Sequence, residues 1–112
     1  MNKPVNQINF DYNGKHYCLE YTREAVKRME AAGFKPGESG STPLIELDML
    51  WAGAFYKNHR KESSRVVETL LDKMKDKDRL LEALRTMVTE TYNSLMEPEE
   101  GDEGNVEWTA TI

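Results

Sequence analysis

At 112 residues the chain has room for one domain with one modest core, which excludes multidomain machinery. A hydrophobic share of 38% beside 31% charge is that of a globular protein, and no apolar run approaches the roughly 20 residues that cross a bilayer. The formal charge is −5, but all 15 Lys and Arg and 14 of the 20 Asp and Glu lie in residues 1–96, so the body is near neutral and has no overall field to draw in nucleic acid.

The first residues, MNKPVNQINF, contain no apolar leader segment, and a single cysteine cannot form an internal disulfide. A cytoplasmic protein with no membrane partner is the expectation. Residues 1–96 are expected to form a single hairpin-plus-helices domain, and residues 97–112 an acidic flexible tail. The fold class predicted is α+β, mostly α: an N-terminal β-hairpin packed on a bundle of about four helices, followed by a disordered acidic C-terminal tail.

The hairpin is FDYNGKHYCLEY, residues 10–21. Asn13-Gly14 suits a two-residue turn because both residues tolerate positive φ. The register then pairs Tyr12 with Lys15, Phe10 with Tyr17, Ile8 with Leu19 and Asn6 with Tyr21. Opposed residues share a face, so Ile8, Phe10, Tyr12, Tyr17, Leu19 and Tyr21 form an apolar face. Gln7, Asn9, Asp11, His16, Cys18 and Glu20 form the wet one. An isolated ribbon of this size is marginal, so its apolar face is expected to lie on a helix.

Thr22 is the predicted N-cap of a helix over about 23–32, with Ala25, Val26 and Met29 inward and Gly33 ending it. KPGESGST, residues 35–42, is predicted as a flexible loop. Thr42-Pro43 then starts a helix over about 43–59. That helix has two apolar sectors. Leu44, Leu47, Leu50, Trp51, Ala54 and Phe55 form the larger, and Ile45, Met49, Ala52 and Tyr56 the smaller. Either both are buried inside a four-helix arrangement, or the second sector is a contact surface for a partner.

Ser63 or Ser64 caps a third helix, about 64–76, with a single stripe of Val66, Val67, Leu70, Leu71 and Met74. A fourth, about 79–96, presents Leu80, Leu81, Leu84, Val88, Thr91, Tyr92 and Leu95 and ends at Glu97-Pro98. The tail closes on NVEWTATI, an alternating segment that fits a strand added to a sheet edge or a docking motif.

Asp11, His16 and Cys18 share the wet face of the hairpin and are metal-ligating types, but the spacing matches no common zinc pattern. A solvated strand face is the better reading, with no metal and no cofactor. KNHRK, residues 57–61, is basic at the end of a predicted helix, where cations favour the dipole. Contact with phosphate or with the acidic tail are its other readings. No GxSxG, HExxH, CxxC pair or Gly-rich phosphate loop is present, so no catalytic residues are assigned and an enzyme is not expected.

The order NGKHYCLEYT, EAVKRMEAAGF, a loop, then LDMLWAGAFYKNHRKESSRVVETLLDKM resembles the small tail assembly chaperones of long-tailed (siphophage-type) bacteriophages and prophages. Asn13, Gly14, Lys15, Tyr17, Leu19, Ala25, Met29, Glu30, Leu50, Ala52, Gly53, Leu70, Leu71 and Asp72 carry the likeness, over about residues 8–76. The resemblance implies a non-catalytic protein, absent from the finished virion, that shields the apolar stripes of the helical tape measure protein during tail morphogenesis. It also implies tail tube protein as a second partner. In longer members, made by frameshifting, a further domain recruits it, and this sequence matches the shorter part. Self-association is a third expected contact. The residues expected to touch the partner are Ile45, Met49, Trp51, Phe55 and Tyr56. The alternative is a small homo-oligomeric adaptor or regulatory protein of a phage or bacterium, whose helix sectors form a permanent interface.

Overall fold

A computed structural model describes residues 6–35, 42–96, 107 and 109–111. The order is β1 (Ile8–Tyr12), β2 (Lys15–Leu19), α1 (Arg23–Ala31), α2 (Pro43–Ala54), α3 (Ser64–Lys73) and α4 (Lys77–Met96). This is the expected α+β fold, a two-stranded antiparallel hairpin on four helices. Most of the predicted loop 35–42 and of the acidic tail lies outside the described residues. Of NVEWTATI, residues 107 and 109–111 are described. They carry no regular structure and are exposed.

Asn13 and Gly14 take φ of 50° and 76°, the left-handed pair that closes a tight hairpin. The register is the predicted one, from Ile8 against Leu19 to Tyr12 against Lys15. Tyr17 and Leu19 are buried and Phe10 stacks on Tyr17 with ring centroids 5.0 Å apart, so the apolar face covers the helices as expected.

Short-range chemistry sets the helix ends. The Thr22 hydroxyl accepts the Ala25 N–H at 3.1 Å, and Ser63 accepts from Val66 at 3.2 Å. At the end of α1, Gly33 sits at φ 103° and donates to the Glu30 carbonyl at 3.0 Å, while Phe34 donates to Met29 at 2.9 Å. These two bonds make a Schellman cap, and buried Phe34 supplies its apolar contact. Thr42 precedes Pro43 as predicted but makes no side-chain capping bond. Past α3, Asp76 takes φ 54°, and the Lys77 ammonium donates to the Asp72 and Met74 carbonyls at 3.2 and 2.9 Å.

α2 packs against α1, α3 and α4 and is the central element. Leu47, Leu50, Trp51, Ala54 and Phe55 are buried along it. Leu44, expected in the same sector, stands 76% exposed at the first turn, where the neighbouring helices do not reach it. The core is completed by Val26, Met29, Leu70, Leu71, Leu80, Leu84, Met87 and Val88. Met87 was not on the predicted stripe of α4. Two interior polar groups are satisfied across elements: the Tyr21 hydroxyl donates to the Leu50 carbonyl at 2.6 Å, and the Trp51 indole donates to the Val67 carbonyl at 2.8 Å.

The predicted extension of α2 to about residue 59 is corrected, because the helix ends at Ala54. The Ala54 carbonyl accepts the Glu20 N–H at 3.2 Å, a strand-end donor. The chain tightens behind it, with Phe55 donating to Ala52 and Tyr56 to Gly53, both at 3.2 Å. The tight i to i−3 turn and the captured carbonyl stop the α pattern.

Candidate functional site

Three consequences of α2's central position converge on its outward side. The first is the burial split. Of the five residues expected to touch a partner, Trp51 and Phe55 are 1% and 3% exposed and belong to the core. Ile45 is 58% exposed, and Met49 and Tyr56 are half-buried at the surface. Ala52, in the same sector, is exposed. The smaller sector thus faces outward, because α1 and α3 flank α2 without closing over it.

The second is a groove between α1 and α2. Ala25, Met29, Ala32, Met49, Ala52 and Gly53 line most of a hollow of about 270 Å³ that ends at Arg28 and Tyr56. Small residues keep it shallow. At Gly53 a Cβ would come within 2.4 Å of the Met29 sulfur, so glycine permits this close approach of the helices. Met49 also lines a second hollow of about 170 Å³ toward Phe34, Lys35 and Ile45, which continues the groove along α2. On its other side α2 shares a larger cleft of about 460 Å³ with α3, floored by the buried Trp51 and Phe55 and bordered by Asp48, Arg60, Glu62 and Glu68.

The third is a pair of cations on the Tyr56 ring, Arg28 lining the α1 groove and Arg60 the α3 cleft. The Arg28 guanidinium from α1 lies 4.6 Å from the centre of the Tyr56 ring, and that of Arg60 lies 4.0 Å from it. Arg60 also donates to the Tyr56 carbonyl at 3.3 Å. Sequence reasoning placed Arg60 in the basic KNHRK stretch but not on Tyr56, and it missed Arg28. Arg60 follows Tyr56 by four residues, a spacing that could have drawn notice. Arg28 arrives only through the tertiary fold.

KNHRK lies beyond the end of α2 and takes a role that was not read in the sequence. It straps the outer edge of β2. The Cys18 N–H donates to His59 Nε2 at 3.0 Å, and Asn58 donates to the Cys18 carbonyl and the Glu20 carboxylate, both at 3.0 Å. Lys57 pairs with Glu20 at 3.1 Å, and Lys15 pairs with Glu62. In this register the outward backbone groups of β2 belong to His16, Cys18 and Glu20. Those of Cys18 and the Glu20 N–H are occupied, so an added strand could not pair along that edge.

The wet face of the hairpin is internally bonded. His16 meets Asp11 at 2.7 Å and Asn9 at 3.2 Å, and the Cys18 thiol lies 3.8 Å from Glu20. Burial and the Glu20 carboxylate push that thiol up from its ordinary pKa, away from a reactive thiolate. Among the described residues no group of three or more His, Cys, Asp or Glu is placed to hold a metal ion.

The His59 contact carries a pH dependence. Burial, with the Lys15 ammonium next, holds the imidazole below its ordinary value. The acceptor nitrogen toward Cys18 is available only in the neutral ring. The unfolded chain therefore takes up this proton first as pH falls. The stabilisation from His59 is complete above about pH 6.5 and declines as pH drops below it. Urea unfolding midpoints for the protein are expected to fall between pH 7.5 and pH 5. His59→Gln, which has no titrating ring, is expected to flatten that slope.

Among the described residues no helix is long and apolar enough to cross a membrane. Neither a curated protein nor a solved structure matches the chain. A family model described as a domain of unknown function, DUF5055, matches residues 1–112 in full. The protein therefore belongs to the DUF5055 family.

Proposed function

We propose that this protein is a non-catalytic tail assembly chaperone, which holds an apolar helical stretch of a phage tape measure protein on the outward side of α2 until tail subunits replace it. The observation that carries the reading is the outward stripe of Ile45, Met49, Ala52 and Tyr56 on a helix whose other side is already filled by the core. A helix that is apolar on two sides needs cover on both. The stripe recurs at helical spacing and lies beside an open groove, the arrangement that accepts an amphipathic partner helix. Met49 at its centre adapts to differing side chains, which suits a client that must later be released. The choice of client rests on the resemblance of the motif order over residues 8–76 to the tail assembly chaperones.

The test is co-expression with tape measure segments from the same genome, followed by pull-down and light scattering. Wild type is expected to retain an apolar helical segment and keep it soluble. Met49→Glu is expected to lose the segment while its circular dichroism stays that of the wild type. A concentration-independent homodimer that uses the same stripe, and captures no segment, would favour the homo-oligomeric adaptor instead.

A further inference from the structure

We infer that the outer edge of β1 takes the alternating segment NVEWTATI of a second copy of this chain as a third strand, and that two copies exchange these segments reciprocally. The inference is independent of the α2 stripe.

The two edges of the ribbon differ. Ile8 and Leu19, Phe10 and Tyr17, and Tyr12 and Lys15 exchange their backbone bonds across the ribbon. The outward groups are then those of Asn9 and Asp11 on β1, and of His16, Cys18 and Glu20 on β2. The β2 edge is closed by Asn58, His59 and the Ala54 carbonyl. Among the described residues nothing bonds the N–H or C=O of Asn9 or Asp11, and both residues are exposed. An open edge is a template for another strand, which proteins commonly block with proline, lysine or a bulge. INFDY has none of these, and its one charge, Asp11, is engaged by His16 at 2.7 Å.

Burial of the apolar face agrees. On β2, Tyr17 and Leu19 are buried, whereas Ile8, Phe10 and Tyr12 on β1 are only half-buried. A strand beside β1 with apolar residues at every second position would lay them against these three. Val106, Trp108, Ala110 and Ile112 have that spacing, in a segment rich in strand-favouring residues and free of proline and glycine. Its length, about 26 Å when extended, exceeds that of the five-residue β1.

The origin of the segment favours exchange between copies. No residue of α4 after Val88 is buried, and Leu95 and Met96 at its end are exposed. The described residues of the segment, 107 and 109–111, are exposed and lie in no strand of their own chain. Residues 97–104 reach about 26 Å when extended, enough to carry the segment to a neighbouring hairpin. Reciprocal exchange closes the pair on a two-fold axis and leaves no open edge of this kind.

The test uses the full chain. Sedimentation equilibrium is expected to show a reversible dimer. NMR then reads amide exchange with solvent against concentration. Where nine-tenths of the chains are paired, the Asn9 and Asp11 amides should exchange about tenfold more slowly than in the monomer, because they exchange only when free. The Ile8, Phe10 and Tyr12 amides bond to β2 in either state and serve as the internal reference. Val106→Ser/Trp108→Ser, which alters no residue of the body, should be monomeric and lose the protection. Asn9→Pro removes one outward donor and spares the bonds to β2, so it should weaken the dimer too.

A dimer that persists in the Val106→Ser/Trp108→Ser variant, with Asn9 and Asp11 unprotected, would place the interface elsewhere and overturn the inference. So would a monomer at every concentration with both amides unprotected. A monomer in which both amides are protected by wild-type but not by variant tails would put the chain's own segment on the edge, and the assignment to a second copy would fall.

Discussion

Trp51→Ala is expected to remove about 3–5 kcal/mol of folding stability, enough to leave a domain of this size largely unfolded at 37 °C. The indole is 1% exposed. It packs against Phe55 and Phe10 with ring centroids 5.3 and 5.9 Å apart, which ties the hairpin to α2. Its N–H reaches the Val67 carbonyl at 2.8 Å and ties α2 to α3. Truncation empties a space bounded by three elements. Trp51→Phe separates the two contributions. It keeps most of the ring contact and deletes the hydrogen bond, with an expected loss of about 1–2 kcal/mol. Leu44→Ala, at a position 76% exposed, should change the urea midpoint very little. If Trp51→Ala unfolded at the same urea concentration as Leu44→Ala, the interior placement of the indole would be refuted.

That contrast between neighbours on one helix shows where sequence pattern is informative. The hairpin register was readable because two independent local signals, the Asn-Gly turn and the period-two alternation, fix the same pairing. Thr22, Ser63 and Gly33 were readable as caps because their partners lie within four residues. The end of α2 was not. Its cause is the Glu20 N–H, more than thirty residues earlier in the chain, and residues 55–59 have enough helix-compatible character to extend the pattern on paper. The strapping of β2 by Asn58 and His59 was hidden for the same reason.

The candidate site was half legible. A helical wheel separates the two apolar sectors of α2, but it does not say from which sides α1 and α3 approach. The expected contact residues therefore mixed Trp51 and Phe55 from the larger sector with Ile45, Met49 and Tyr56 from the smaller, although the fold places the first two inside and the other three along the surface. Gly53 held the missing clue. A glycine in the middle of a helix costs about 1 kcal/mol relative to alanine, so its presence marks a close helix crossing. The sulfur of Met29 occupies the space a side chain would need. The α1 side of α2 is therefore the tight, shallow side, and the α3 side the open, mixed one.

The sharpest separation of fold from function comes from Ala52→Glu. Ala52 is exposed in the middle of the outward stripe, and glutamate is a good helix former, so the substitution should leave the thermal midpoint within about 2 °C of wild type. Binding is a different matter. The residue lines both the α1 groove and the α3 cleft, so a helix seated on either side of the stripe would cover it. A carboxylate there would have to be desolvated against an apolar client with no described cation placed at that point of the stripe. Burying such an unpaired charge should weaken client binding by about 2–3 kcal/mol, or roughly a hundredfold. Arg28 and Arg60 lie at the Tyr56 end, about one helical turn away, and are expected to recover only part of this. Isothermal titration with a captured tape measure segment, beside thermal melts of both proteins, reads the two effects separately. An unchanged melt with lost binding is the signature of a docking surface. Lost binding accompanied by a melt lowered by ten degrees would instead mean that Ala52 supports the core. Unchanged binding would place the client away from α2 altogether.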